Sequence, residues 1–140
     1  MALYSRILVP LDGSAIDDVV LDQVVEMARL CDAEVVLLRV AHYHTRDERT
    51  HEMEEAQACV AGADDRLRDS GLRVRTVVGQ GEPAAAILAE ARELDVDLIA
   101  MATHGHGTLQ RLFAGSVADK VRHSSDVPLL LVKARRSGEK

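Results

Sequence analysis

Aromatic residues are nearly absent from this chain of 140 residues, which has no tryptophan and an aromatic content of 2%. Its formal net charge is −6. Because nucleic-acid-binding surfaces favour a basic face and stacking aromatic rings, these features argue against nucleic acid as a partner. No apolar run approaches the roughly 20 residues of a membrane-spanning helix. The first residues lack the pattern of a secretion signal, so we expect a cytoplasmic protein without membrane contact.

Cysteine is rare as well. Cys31 and Cys59 lie in helix-like patterns, without a C-x-x-C pair or a histidine pair at metal spacing beside them. Neither a disulfide framework nor a zinc site is therefore expected, and we interpret both residues as buried or half-buried thiols. A chain of this length with 47% hydrophobic residues can bury a core without such cross-links. We expect residues 1–140 to form one domain.

Short apolar runs rich in valine, isoleucine and leucine alternate with helical patterns along the chain. The five runs cover residues 6–11, 34–41, 72–78, 97–103 and 127–133. Such alternation is typical of a parallel α/β sheet, in which helices connect the strands. Polar residues alternate with apolar ones in 72–78, which predicts an edge strand, whereas the continuous apolar run 98–101 predicts a central strand.

The helical patterns between these runs are amphipathic. Apolar spacings of three and four predict the first helix, with Ser14 and Asp17 as a capping box at its start. Its predicted stripe consists of Ile16, Val19, Val20, Gln23, Val24, Met27 and Leu30. The charged segment from about 46 to 69 predicts a surface helix, and Pro83 suits the first turn of the third helix.

The last apolar run contains Pro128, which has no N–H group for a strand ladder. Its strand must therefore start there or lie at an edge of the sheet. An edge this apolar needs a cover, and a second copy of the chain is the simplest one. We expect a homodimer through Val127–Val132.

A stretch of small residues, Ala102-Thr103-His104-Gly105, ends the fourth run, and nine residues separate it from Gly115-Ser116. Small residues let backbone N–H groups approach an anion, and a helix starting near Gly115 directs further N–H groups at the same space. Two interpretations stay open. Glycine-rich loops of this kind are common without a ligand, and Ser116 also suits the N-cap of that helix.

Ligands of open parallel sheets lie beyond the carboxyl ends of the strands, where the connections switch sides. The first run ends before Asp12, the second near Val40 and the fourth near Met101. The Asp12 carboxylate can accept hydrogen bonds from ribose hydroxyls. From its chemistry alone, a local turn or cap carboxylate is an equally good interpretation.

Taken together, these segments resemble the universal stress protein family over essentially the whole chain. The matching segments are residues 7–14, 36–40, 81–84, 97–105, 115–118 and 127–132. Nucleotide-binding members carry Gly, two residues, Gly, nine residues, and then Gly followed by Ser or Thr. Here that pattern reads Ala102, Gly105, Gly115-Ser116, so alanine replaces the first glycine, which matters if the backbone there needs a positive φ.

The resemblance implies a Rossmann-like open five-stranded parallel sheet, in strand order 3-2-1-4-5 with helices on both faces. It also implies an adenine nucleotide (ATP, ADP or AMP), with Mg²⁺ at the phosphates. A metal site formed by the protein itself is not expected, because His42 and His44, like His104 and His106, have no acidic or thiolate partner positioned by the sequence. Asp12 then holds the ribose, Val40 offers backbone groups to adenine, and the glycine loop surrounds the phosphates. The binding residues implied are Pro10, Leu11, Asp12, Val40, Met101, Ala102, His104, Gly105, His106, Gly115, Ser116 and Val117.

The function implied is that of a homodimeric regulator in stress response that responds to its nucleotide. Two alternatives stay open: a nucleotide-free dimeric interaction module, and a slow ATPase or self-phosphorylating protein in which Ser116 or a neighbouring residue accepts phosphate. The sequence has neither a G-x-x-x-x-G-K-[ST] loop nor a G-x-S-x-G elbow. These two absences disfavour rapid ATP hydrolysis and acyl transfer.

Overall fold

The structure, a computed structural model, describes residues 3–104 and 116–134, and for His104 and Ala134 the backbone alone. Strands and helices alternate along the described chain, as the apolar runs predicted. In order they are β1 (Arg6–Pro10), α1 (Ile16–Cys31), β2 (Glu34–Ala41), α2 (Arg46–Asp69), β3 (Val74–Gln80), α3 (Pro83–Glu93), β4 (Leu98–His104), α4 (Ser116–Ser124) and β5 (Leu129–Ala134).

The strands form one parallel sheet in the order β3-β2-β1-β4-β5. This confirms the predicted fold class and strand order, with β3 and β5 at the edges and β4 inside. Three strands start later than predicted, at Val74, Leu98 and Leu129. Pro128 remains outside β5, where its carbonyl accepts a hydrogen bond from the Ile99 N–H at 3.0 Å. A proline fits there because the ladder needs only an acceptor from it.

The two faces of the sheet carry different pairs of helices. α1 and α2 pack on one face, and α3 and α4 pack on the other. In β2, Val35 and Leu37 face α1 and α2, whereas Val36 and Leu38 face α3 and α4. Since both faces of the central strands are covered, their sequences are apolar almost throughout.

The start of α1 differs from the capping box predicted for Ser14 and Asp17. The N-cap residue is Ala15, which makes no side-chain cap. The Asp17 carboxylate instead accepts hydrogen bonds from the N–H groups of Asp12 and Gly13, at 2.7 and 2.8 Å. Gly13 has a φ of +83°, and this left-handed conformation lets the turn direct both N–H groups at the helix.

The buried face of α1 was predicted only in part. Ile16 and Val20 are buried as predicted, but Gln23 is exposed and Leu30 is 85% exposed. The buried row runs at steps of four residues from Ile16 to Ala28. A helix turns once in 3.6 residues, so positions spaced by three rotate progressively away from the buried face. Leu30, two such steps after Val24, therefore lies on the exposed side.

Side chains cap two other helices. The Thr45 hydroxyl accepts a hydrogen bond from the Glu48 N–H at the start of α2, at 3.2 Å. At the start of α3, the Glu82 carboxylate accepts from the Ala84 N–H at 2.7 Å, and Pro83 lies in the first turn as predicted. These caps fix where two connections leave the carboxyl edge of the sheet.

Cys31 and Cys59 are both free and partly buried, which confirms the interpretation of half-buried thiols. Burial raises the pKa of the Cys59 thiol above its ordinary value. Among the described helices, none combines the length and apolar character needed to cross a bilayer.

Candidate functional site

The sheet opens between β1 and β4. In the described strands these two pair only at Ile7–Leu98 and Leu8–Ile99. β4 stays paired with β5 up to its last residue, His104. From β1 the chain passes to α1 on one face, and β4 precedes α4 on the other. This is therefore the switch point at which open α/β sheets bind ligands.

Asp12 lies at this opening, directly after β1. It is the one charged residue that is buried in the described chain, with 4% of its surface exposed. Its Oδ2 accepts a hydrogen bond from the Ser14 hydroxyl at 2.9 Å, whereas its Oδ1 has no partner among the described residues. A buried charged oxygen without a donor is costly, so this oxygen is an available acceptor for a ligand.

Arg39 of β2 lies beside the same turn. A Cβ atom built on Gly13 would be 3.3 Å from both Nε and Nη2 of Arg39. The Arg39 Nη1 is buried and, like Asp12 Oδ1, has no partner in the described part of the chain. Sequence reasoning missed Arg39, although a signal was present: it continues the inward series of Val35 and Leu37, where an apolar residue is expected.

Asp17 lies behind the turn and is the second residue whose role the sequence did not reveal. Its two oxygens accept the N–H groups of Asp12 and Gly13, which fixes the turn from the side of α1. Burial raises the pKa of Asp17 from 3.8 to about 6. The Asp12 charge adds to this increase, whereas the two N–H bonds and Arg39 oppose it without offsetting the burial.

The strand ends supply backbone groups rather than side chains. Leu11 continues the line of β1 beyond Pro10, and its N–H donates to the Leu38 carbonyl at 2.7 Å. The side chains of Val40 and Met101 are buried in the core beneath α3 and α4. Any contact that these two residues make with a ligand at the opening must therefore come from their backbone.

Ala102, which replaces the first glycine of the family pattern, lies within β4. Its methyl group is buried in the core on the α1 and α2 face. Among the described non-glycine residues, only Asp32 and Asp95 have a positive φ. Alanine at this position therefore needs no strained backbone, and the core already accommodates its methyl group.

The start of α4 supplies the other side of the opening. Ser116 is exposed in the first turn of α4. The side chain of the next residue, Val117, is buried in the same core cluster as Met101. The predicted phosphate-loop residues Gly105, His106 and Gly115 lie outside the described residues.

Beside the opening, the ends of β2 and β3 carry a small polar cluster. The His42 Nδ1 lies 3.3 Å from the Gly81 carbonyl, and the Tyr43 hydroxyl donates to Gln80 at 2.7 Å. The His42 and His44 rings meet edge to face, with centroids 5.1 Å apart. The cluster ties the start of α3 to the carboxyl end of β2.

A model of the Universal stress protein family matches residues 3–133. The chain belongs to the universal stress protein family. Universal stress protein YxiE of Bacillus subtilis is 29% identical over 94% of this chain and 100% of its own length. The solved structure of MJ0577 from Methanocaldococcus jannaschii has a TM-score of 0.79 and 30% identity, and covers 96% of this chain and 99% of that chain.

Some universal stress proteins bind adenine nucleotides. The protein from Archaeoglobus fulgidus, solved in complex with dAMP, has a TM-score of 0.72 and 25% identity, over 94% of this chain and 99% of that chain. Other structures of the family hold cAMP or AMP.

Proposed function

We propose that this universal stress protein binds an adenine nucleotide between the carboxyl ends of β1 and β4. The observation that carries the proposal is Asp12, whose buried Oδ1 has no donor among the described residues. Ribose hydroxyls are donors, and a hydrogen bond from one of them satisfies this oxygen. The nucleotide we propose is ATP with Mg²⁺ at its phosphates, or the related ADP or AMP.

Three further features of the chain support this ligand. The β1–β2 pairing ends at Pro10–Leu38, so the Val40 backbone on the β1 side is available to adenine. Ala102 occupies an unstrained strand position, so the alanine does not disqualify the family pattern. Ser116 lies in the first turn of α4, where free N–H groups and the helix dipole favour an anion.

The Archaeoglobus fulgidus protein solved with dAMP supports the class of ligand, since it shares this fold and 25% of the sequence. We propose that the nucleotide is a ligand that selects a conformation, and that the protein acts in stress response as a homodimer. The absence of a P-loop lysine from the sequence supports binding rather than rapid phosphoryl transfer. β5 supports the dimer, because it is an apolar edge strand in which Leu131 is 36% exposed.

Mass spectrometry of the protein purified without added nucleotide tests the proposal. We expect denaturation to release a stoichiometric adenine nucleotide, or millimolar ATP to raise the melting temperature if the site is purified empty. Asp12→Ala removes the carboxylate and should abolish both signals. Asp18→Ala is the matched control, since Asp18 is an exposed neighbour that pairs with Arg66. Absence of both signals from the unmodified protein would overturn the proposal in favour of a nucleotide-free module.

A further inference from the structure

The turn that carries Asp12 is held by a second carboxylate. Both oxygens of Asp17 are engaged: Oδ1 accepts from the Asp12 N–H at 2.7 Å, and Oδ2 accepts from the Gly13 N–H at 2.8 Å. Because the Asp12 N–H is one of these donors, the position of the Asp12 backbone depends on Asp17. The pairing of β1 with β2 ends at Pro10 and its pairing with β4 ends at Leu8, so no strand pairing in the described chain holds Asp12 and Gly13.

We propose that Asp17 is a positioning residue for the nucleotide site: its ionised carboxylate holds the Asp12–Gly13 backbone so that the Asp12 side chain meets the ligand. This inference rests on the proposed function and adds to it a residue that has no contact with the nucleotide. Two N–H donors favour a carboxylate with two accepting oxygens. When Asp17 is protonated, one oxygen becomes a hydroxyl donor, and one of the two N–H groups loses its acceptor.

The surroundings of Asp17 place this protonation in an accessible pH range. Asp12 faces it from the turn, Arg39 from β2 and Cys59 from α2. A cavity of about 250 Å³ lies between α1 and α2, and Asp17, Asp18 and Arg66 line it. Burial raises the pKa of Asp17 to about 6, against the opposing effects of the N–H bonds and Arg39.

Nucleotide affinity should therefore fall as the pH is lowered. If only the ionised form holds the turn, the affinity for ATP decreases about fourfold between about pH 7.5 and pH 5.5, and about tenfold by pH 5. Asp17→Asn has one accepting oxygen at every pH. We expect this variant to bind ATP more weakly than the unmodified protein at pH 7.5. Its ATP affinity should also lack the decrease that protonation of Asp17 causes at lower pH.

Calorimetric titration with ATP across this pH range tests the inference. Asp18→Asn is the matched control, because Asp18 is the next residue and its side chain is 74% exposed. ATP itself also titrates, but that contribution is common to the three proteins and cancels when their profiles are compared. We expect ATP affinity to fall steeply with decreasing pH in the unmodified protein and in Asp18→Asn, and to fall less in Asp17→Asn. Identical profiles in all three proteins would overturn the inference.

An NMR titration of the Asp12 and Gly13 amides without nucleotide separates this inference from the proposed function. We expect both amide signals to move with a midpoint near pH 6, and to stay still in Asp17→Asn. If they move as expected but ATP affinity does not follow, the positioning role is wrong while the nucleotide site stands. If the amides move and no nucleotide binds at any pH, the proposed function is wrong, and the role assigned to Asp17 falls with it.

Discussion

Among single residues, the two carboxylates that flank the Gly13 turn, Asp12 and Asp17 at the start of α1, have opposite surroundings. Asp17 receives two backbone N–H groups, whereas Asp12 receives one hydroxyl and keeps Oδ1 without a donor in the described part of the chain. The donors that hold the turn are thus directed at Asp17. The carboxylate that remains available to a ligand is the one at the opening of the sheet.

Asp17 should make the free energy of unfolding depend on pH in a direction unusual for a carboxylate. Its pKa rises from 3.8 to about 6 on folding, so the folded state holds the proton more tightly than the unfolded state. The stability from this proton is fully present below pH 3.8 and is lost as the pH rises through about 6. Its upper bound is about 3 kcal/mol.

Urea denaturation of the unmodified protein and Asp17→Asn at several pH values isolates this contribution. Other carboxylates titrate in both proteins, so only the difference between the two free energies of unfolding reports on Asp17. We expect the unmodified protein to lose about 1–3 kcal/mol relative to the variant between pH 4 and pH 7. A difference that is constant or changes in the other direction would contradict the raised pKa.

At the scale of elements, the β1–α1 turn depends on Gly13. Gly13→Ala places a methyl group at a φ of +83° and 3.3 Å from Arg39, whereas Gly71→Ala has a similar φ of +85° with no atom within 4 Å. The backbone strain of about 1 kcal/mol is common to both variants. We expect Gly13→Ala to lose more stability in urea and to weaken ATP binding, and Gly71→Ala to bind normally. Equal losses in the two variants would show that the Arg39 contact is unimportant.

The elements themselves could largely be predicted, because a strand buried on both faces must be apolar and the helices between strands must be amphipathic. The 98–101 run predicted a central strand for this reason, and the alternation in 72–78 predicted an edge strand. Their ends were less accurate, since the start of β3 depends on pairing with β2 across the sheet. Sequence spacing contains no information about that register.

A residue of the candidate site could be predicted from the sequence where a charged side chain directly follows an apolar strand. Asp12 follows an apolar run at a carboxyl end, and the structure shows it buried at the opening. Asp17 was interpreted as a helix cap because its spacing from Ser14 fits one equally well. Only the fold of the Gly13 turn shows which N–H groups it receives. Arg39 was missed although it interrupts the inward apolar series of Val35 and Leu37, because that series alone does not show which groups its guanidinium faces.

At the scale of the whole molecule, the two edges of the sheet differ in character. β3 carries the polar residues Arg75, Thr76 and Gln80, whereas β5 is apolar along Leu129–Val132. An apolar edge favours association with another chain. This difference between the edges is the basis for proposing β5 as the dimer interface.

Leu131→Lys should break that dimer. A lysine at the proposed interface leaves a desolvated charge, so we expect the dimer dissociation constant to rise at least about tenfold in sedimentation analysis. Leu30→Lys is the control, because Leu30 is 85% exposed on α1 and the change removes the same apolar side chain elsewhere. A dimer that tolerates Leu131→Lys, or an unmodified protein that is monomeric, would contradict the β5 interface.

A calorimetric comparison of ATP with 2′,3′-dideoxy-ATP tests whether Asp12 receives the ribose hydroxyls of an adenine nucleotide. Hydrogen bonds to a charged group contribute about 1.5–3 kcal/mol, which corresponds to a difference in affinity of about tenfold or more. We expect the unmodified protein to prefer ATP by this factor and Asp12→Ala to bind both nucleotides equally weakly. Equal binding of both nucleotides by the unmodified protein would contradict this role of Asp12.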